Sequence, residues 1–255
     1  MDKGVLFVSD LDNTLLYSAR RLPEGIENIC VERLNDKPQG FLSLETVRLL
    51  RRIMERALFV PVTTRSLEQY RRIKWPWGEP PLALAANGGL LLENGEENSL
   101  WREASLELVR PHEQALLDLE KLFSESGYAC RRIDGLFLFV PCPDAAEAEM
   151  AADLFSGRTE LDIEVSGRKL YAFPPRLDKG TGLKRLLEIL KPRKVFSAGD
   201  SLMDLPMLRL GDPAFVPSEQ LFSELPANGC LLSGPGLFAD ELLRKIWSDL
   251  EGDTV

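Results

Sequence analysis

Histidine is almost absent: the 255 residues include one, His112, near the start of a predicted helix, and no chemistry is assigned to it. Cysteine is sparse and scattered. Cys30, Cys130, Cys142 and Cys230 form no C-x-x-C pair, which argues against zinc and a disulfide framework and fits a reducing compartment. No block of Lys and Arg stands out and the net charge is -9, so a nucleic-acid partner is disfavoured. Asp10 and Asp12 interrupt the first apolar run too early for a secretory signal or a membrane span, so the expectation is a cytoplasmic protein without a membrane partner. No low-complexity tract is visible. What is present is globular material: 44% apolar and 28% charged residues, enough for one large domain or two modest ones.

The chain is organised around Val5-Leu6-Phe7-Val8-Ser9-Asp10-Leu11-Asp12-Asn13-Thr14-Leu15-Leu16. The apolar run reads as a buried parallel strand, and ligands of open α/β sheets bind beyond the carboxyl ends of such strands. If Asp10 to Asp12 stay extended, alternation puts both carboxylates on one side, where two like charges call for a cation or a shared proton. On these residues alone, a strand ending in an Asx-type turn reads equally well.

Further along, Ile29-Cys30-Val31 and Phe41-Leu42 flank Asn35-Asp36-Lys37-Pro38-Gln39-Gly40, which predicts a small hairpin; an ordinary surface insertion is one reading, and the family resemblance named below makes it a candidate lid. Ser43 starts a helix with Leu44, Val47, Leu50 and Met54 on one face. Leu58 to Val62 is a second buried strand. Ser66 caps a helix to about Trp75, a rigid Trp/Pro loop follows, and Leu82 to Ala86 is a third strand. A hairpin of Leu90–Leu92 and Ser99–Arg102 comes next.

From Pro111 the pattern changes to helix-strand-strand, twice. Helix Pro111–Ser126 precedes strands Tyr128–Ile133 and Leu136–Pro141; helix Asp144–Phe155 precedes strands Leu161–Val165 and Lys169–Phe173. Antiparallel hairpins with helices on one face make an α+β unit, inserted into the flanking parallel pattern. The parallel pattern resumes with a helix from Asp178, a strand Val195–Ala198, short strands at Ala214–Val216 and Cys230–Leu232, and a helix Leu237–Leu250; Glu251–Val255 is expected to fray.

Several later residues carry chemistry. Lys179 falls in the first turn of its helix, where the macrodipole disfavours a cation, and Gly180 and Gly182 beside it each cost about 1 kcal/mol relative to Ala. Both facts suggest close backbone approach and a charge aimed at an anion; a surface lysine at a frayed helix start is the alternative. Asp200 and Asp204 share a face if a helix begins at Asp200; otherwise Asp200 is an N-cap and Asp204 a first-turn acid. Thr63 could be a strand-edge hydroxyl or an N-cap, and Asn87 reads first as a turn residue. Asp10, Asp12 and Asp200 are too many close anions without a hard cation, and oxygen-only ligands favour Mg²⁺.

Four motifs in order resemble the haloacid dehalogenase superfamily: Asp10-x-Asp12-x-Thr14, Val62-Thr63-Thr64-Arg65, Lys179 within Asp178-Lys179-Gly180-Thr181-Gly182, and Gly199-Asp200-Ser201-Leu202-Met203-Asp204. The match covers roughly residues 1–90 and 174–235. The resemblance implies a Rossmann-like parallel-sheet α/β core, residues 1–88 and 174–255, with an inserted type-2 cap, residues 89–173, of the C2B class seen in Cof-like, sucrose-phosphate and mannosylphosphoglycerate phosphatases. It implies a Mg²⁺-dependent phosphomonoester hydrolase acting through an aspartyl phosphate on a small, sugar-like phosphorylated metabolite. Asp10 would be the nucleophile and Asp12 the acid/base. Asp10 and Asp200 would bind Mg²⁺ through side chains and Asp12 through its backbone carbonyl, with Asp204 as a second ligand or an outer support. Thr63, Lys179 and the N–H groups of Leu11 to Asn13 would hold the phosphoryl oxygens. Arg65, Asn87, Arg131 and Arg132 are candidate substrate contacts.

The sequence departs from the pattern at Met203, where many Cof-like proteins have Asn, and at Thr64, where Gly is usual; both leave the subfamily open. Asp12 argues against the dehalogenase and P-type ATPase branches. A phosphomutase of the same superfamily is the other enzyme reading. A phospho-aspartate signalling receiver or a non-enzymatic binding protein is the reading from another class, though a receiver has no role for the inserted unit. Nothing in the sequence indicates an oligomeric state.

Overall fold

The first strand, β1 (Val5–Ser9), is buried along its whole length and ends at Asp10. The computed structural model describes residues 4–225 and 227–252 of the chain. After β1 come the paired strands β2 (Asn28–Leu34) and β3 (Lys37–Ser43). Their connection is the two-residue turn Asn35-Asp36, with both residues at positive φ. It is shorter than the six-residue loop expected, because Asn and Asp tolerate the left-handed conformation such tight turns demand. Helix α1 (Leu44–Arg56) begins at the cap Ser43, whose hydroxyl accepts from the Thr46 N–H. Its buried face is Thr46, Leu49, Leu50 and Ile53, one position off the stripe expected from Leu44, Val47 and Met54. Thr46 turns inward because its hydroxyl, like that of Ser43, donates to the buried Asp240.

Strand β4 (Leu58–Pro61) leads to α2 (Leu67–Arg71), which stops well short of Trp75. The chain leaves the helix because Ile73 bridges to Glu32 and the Lys74 N–H donates to the Val31 carbonyl of β2. Trp75 packs on Phe59 and Trp77. Strand β5 (Leu82–Ala85), a 3₁₀ turn Ala86–Gly88, β6 (Leu90–Glu93) and β7 (Glu96–Glu97) form a small antiparallel sheet. β6 therefore pairs with β5 and β7, not with Ser99–Arg102. Those residues open α3 (Ser99–Val109), because the Asn98 side chain accepts from the Trp101 N–H and caps a helix.

Next come α4 (Glu113–Glu125), β8 (Arg131–Ile133), β9 (Phe137–Pro141), α5 (Ala145–Ser156), β10 (Asp162–Ser166) and β11 (Lys169–Phe173). The four strands make an antiparallel sheet in the order β10-β11-β9-β8. α4 packs on β9 and α5 on β10 and β11, and Phe123 of α4 meets Phe155 of α5 edge-to-face at 4.5 Å. The helix-strand-strand pattern is present twice, preceded by the unexpected α3.

The chain then runs through α6 (Lys179–Leu190), β12 (Lys194–Ala198), α7 (Leu205–Leu208), β13 (Ala214–Val216), α8 (Glu219–Ser223), β14 (Gly229–Leu231) and α9 (Phe238–Gly252). α9 continues past Leu250 to Gly252, so Glu251 is helical; residues 253–255 of the segment expected to fray lie outside the described residues. Among the described residues a five-stranded parallel sheet has the order β14-β13-β12-β1-β4. From β1 the chain steps to β4 on one side and later to β12, β13 and β14 on the other. A switch of direction of this kind opens a crevice at the strand ends. By contact density the chain divides into two units, one running through Glu97 and resuming at Lys179, the other Asn98–Asp178. Among the described residues no helix is long and apolar enough to cross a membrane.

Candidate active site

Strands β1, β4 and β12 finish level: Ser9 is the register partner of both Pro61 and Ala198. One more ladder bond, from the Asp10 N–H to the Ala198 carbonyl at 2.9 Å, carries the chain to the aspartate. The residue is 6% exposed. Asp10 Oδ1 accepts from Lys179 Nζ at 2.5 Å and Oδ2 from the Thr14 hydroxyl at 3.3 Å. The same hydroxyl lies 3.3 Å from Asp200 Oδ1, and its single proton serves one carboxylate at a time. Thr14 is held in place by Tyr17, whose hydroxyl donates to the Thr14 carbonyl and accepts from the Ala239 N–H of α9.

Lys179 is the first residue of α6 and is 2% exposed. Its ammonium lies between Asp10 and Asp204, at 2.5 and 2.6 Å. α6 reaches this depth because glycines let it close on its neighbours. A Cβ on Gly180 would sit 2.4 Å from the Pro206 carbonyl oxygen, and one on Gly182 would sit 2.7 Å from the Gly88 Cα. The close backbone approach and the anion-directed charge expected at Lys179-Gly180-x-Gly182 are both present.

Asp200 and Asp204 do not share a helix face, since no helix begins at Asp200. Ser201 caps a short 3₁₀ turn, and Asp204 folds back on it: Oδ2 accepts from the N–H groups of Asp200 and Ser201 and from the Ser201 hydroxyl. With Lys179 on Oδ1, both oxygens of this fully buried carboxylate are engaged.

Oxygens of Asp10, Asp200 and Asp204 all lie within 4.8 Å of one another. Electrostatics records the strain of that grouping. Burial, then the neighbouring aspartates, lift the Asp10 carboxyl well above its ordinary range against the opposing pull of Lys179. Burial and Asp204 lift Asp200 to about 7. Burial pulls the Lys179 ammonium down, but Asp10 and Asp204 outweigh it and leave its pKa above the ordinary value. Buried carboxylates this close, offering only oxygen, are the donor set of a hard divalent cation. Asp10 and Asp200 fit as direct ligands. Asp204, with both oxygens engaged, fits as the group behind them.

Asp12 takes a different partner. Its two oxygens accept from Nη2 and Nε of Arg65 at 2.8 and 2.9 Å, while Asp10 faces Lys179. Alternation therefore does not aim the two carboxylates at one partner. Asn13 is in the left-handed conformation and its N–H donates to the Leu16 carbonyl at 2.8 Å, so the donor expected from Asn13 is engaged within the loop. Thr63 is buried just beyond β4, its N–H on the Leu84 carbonyl and its hydroxyl oxygen accepting from the Arg65 N–H. Asn87 is buried at φ 59° in the 3₁₀ turn that abuts α6. Arg131 and Arg132 lie in the other unit. Arg131 stacks over Phe139 at 5.1 Å, and Arg132 forks onto Glu113.

Three residues escaped the sequence reading. Thr14 was visible as the last letter of the first motif but carried no role there. Ser201 was legible as a cap, three residues before Asp204. Glu32 gave one signal, a charge in the apolar run Ile29-Cys30-Val31; it is 4% exposed and pairs with Arg65 and Arg72.

No family model matches the sequence, and no curated protein sequence does. Solved structures resemble it over nearly its whole length. The sucrose-phosphatase of Synechocystis sp. PCC6803, solved with sucrose and phosphate, is 15% identical with a TM-score of 0.61, covering 97% of this chain and 98% of that one. A haloacid dehalogenase-like hydrolase from B. subtilis is 17% identical with a TM-score of 0.59, covering 94% and 98%. A trehalose-6-phosphate phosphatase related protein is 15% identical with a TM-score of 0.53, covering 97% and 98%. The chain has the α/β fold of the haloacid dehalogenase-like hydrolases.

Proposed function

We propose that the protein is a phosphomonoesterase that transfers a phosphoryl group to Asp10 and then to water, on a small sugar-like phosphate. The observation that supports this most is the buried Asp10–Lys179–Asp204 cluster at the carboxyl end of β1, with Asp200 beside it. Asp10 Oδ attacks phosphorus as the bond to the leaving oxygen breaks. Asp12 protonates that oxygen and later takes a proton from the attacking water. Lys179, the Thr63 hydroxyl and the Leu11 N–H hold phosphoryl oxygens as charge develops. Asp10 and Asp200 would hold Mg²⁺, whose charge offsets the repulsion between carboxylate and phosphate. Substrate selection would fall to the inserted unit, in which Arg132 is tied to Glu113 and Arg131 stacks over Phe139. The sugar-like substrate rests on two neighbours, a sucrose-phosphatase and a trehalose-6-phosphate phosphatase related protein. The scattered free cysteines support a cytoplasmic setting.

The test is a panel of phosphorylated metabolites with Mg²⁺, read as free phosphate. Release of phosphate without an isomeric phosphate ester supports a phosphatase. An isomeric product supports the mutase, and no turnover of any ester together with a stable phosphoenzyme supports a signalling protein.

A further inference from the structure

Arg65 stands between two carboxylates. Its Nε and Nη2 hold both oxygens of Asp12, and its Nη1 lies 2.9 Å from Glu32 Oε2. The Arg65 side chain is 12% exposed and that of Glu32 5%. On its other side, Glu32 Oε1 faces Arg72 Nε at 3.4 Å. Glu32 lies in β2 where that strand bridges to Ile73, so backbone pairing fixes the position of its carboxylate.

A fork that occupies both oxygens fixes a carboxylate as an acceptor. To meet a leaving-group oxygen, Asp12 must give up at least one of the two bonds to Arg65. A buried guanidinium left without a partner is strongly unfavourable. Here it would not be left so, because Nη1 keeps Glu32, and Arg72 keeps Glu32 compensated in turn.

We propose that Glu32 is a positioning residue for the acid–base step: it holds Arg65 while Asp12 moves from the guanidinium to the leaving group. The inference rests on the phosphatase reading and adds to it a role for hairpin β2–β3. With Glu32 neutralised, Arg65 has Asp12 as its one carboxylate partner and grips it harder. Release of Asp12 then becomes slower, while phosphate binding is untouched.

The experiment compares p-nitrophenyl phosphate, whose leaving group departs without a proton, with phenyl phosphate, whose leaving group needs one. Glu32→Gln should lower kcat/KM, which reports the steps up to departure of the leaving group and not hydrolysis of the phosphoenzyme, by about tenfold on phenyl phosphate and by less than about twofold on p-nitrophenyl phosphate, and leave inhibition by inorganic phosphate in place. Glu32→Asp, which keeps the charge but shortens its reach, should show the same pattern more weakly and serves if the glutamine variant does not fold. In an Arg65→Ala background, Glu32→Gln should change nothing further, because Glu32 acts through Arg65. Equal losses on both esters, or an added loss in the Arg65→Ala background, would overturn the assignment. If the wild type hydrolyses neither ester, the phosphatase reading fails on its own. The coupling is then read from unfolding: a double-mutant cycle of Arg65 and Asp12 should give a larger coupling with Gln than with Glu at position 32. An unchanged or smaller coupling overturns the inference.

Discussion

Lys179 Nζ lies 2.5 Å from Asp10 Oδ1, across 169 positions of sequence. The contact ties the first strand to the helix that follows the inserted unit, and it sits where water is excluded. Its second bond, to Asp204, makes one cation serve two buried carboxylates.

Lys179→Met keeps the length of the side chain and removes the charge. Asp10 and Asp204 would then be buried without their cation, which costs about 3–5 kcal/mol when one partner of a buried pair is lost. Denaturant unfolding in EDTA should show a loss of that order. Added Mg²⁺ should restore part of it, since a divalent ion supplies positive charge to the same oxygens. A variant as stable as the wild type in EDTA would show that the carboxylates are already protonated in the folded protein.

The upward shifts of Asp10 and Asp200 have a sign that can be measured. A carboxyl whose folded pKa is raised holds its proton in the folded state over a range where the unfolded chain has released it. Folding then binds protons, and stability falls as pH rises from the ordinary carboxylate range to about 7, the folded value of Asp200. Thermal melts of the metal-free protein from acid to neutral pH should decline across that window. Saturating Mg²⁺ should flatten the decline by favouring the ionised forms. A metal-free melting temperature that climbs steadily toward neutral pH would contradict the assignment of strain to this cluster.

Much of this was legible in the chain. The strands ending in Asp10, Thr63 and Asp200 are short apolar runs stopped by polar residues, a local signal that survives without tertiary context. Ser43, Ser66 and Asp144 each cap a helix from within four residues of sequence. The misreadings lie where distant partners decide. Thr46 is buried because Asp240 waits for its hydroxyl, α2 ends because β2 claims the following backbone, and Asp12 turns to Arg65, 53 positions further along the chain. The pairing of Glu32 with Arg65 depends on a hairpin register with two irregularities, between Cys30 and Arg33, which periodicity does not show.

Gly182 is where helix propensity and packing oppose each other. Alanine should favour a helix interior by about 1 kcal/mol over glycine. Its Cβ, however, would lie 2.7 Å from the Gly88 Cα and 2.8 Å from the Gly88 carbonyl oxygen, both backbone atoms that yield little. Overpacking of this kind costs about 1–3 kcal/mol, so Gly182→Ala should lower the melting temperature on balance. Gly157→Ala is the control, since a Cβ there meets nothing within 4 Å and the residue has an ordinary negative φ. Equal melting temperatures for the two variants would mean that α6 shifts away from the Ala86–Gly88 turn without penalty.

Asp10→Asn separates chemistry from stability at the centre of the site. The amide has the shape of the carboxylate and lacks its charge, so it cannot attack phosphorus as an anion. Turnover should fall by a factor of about 10⁴ or more, as for the removal of other enzymic nucleophiles. The fold should not suffer. In metal-free buffer the variant removes one of three carboxylates crowded within 4.8 Å, while Asp204 still pairs with Lys179. Its melting temperature at neutral pH should therefore equal or exceed that of the wild type, the usual consequence of relieving a functional site of its electrostatic strain. Mg²⁺ should stabilise it less than it stabilises the wild type, because one charged ligand is gone. Acid quenching of the wild type with a turned-over phosphate ester, followed by digestion and mass analysis, should locate the phosphoryl group on the peptide that carries Asp10. A phosphoryl group found on any other residue, or an Asp10→Asn variant that keeps more than a few per cent of activity, would remove Asp10 from the role of nucleophile.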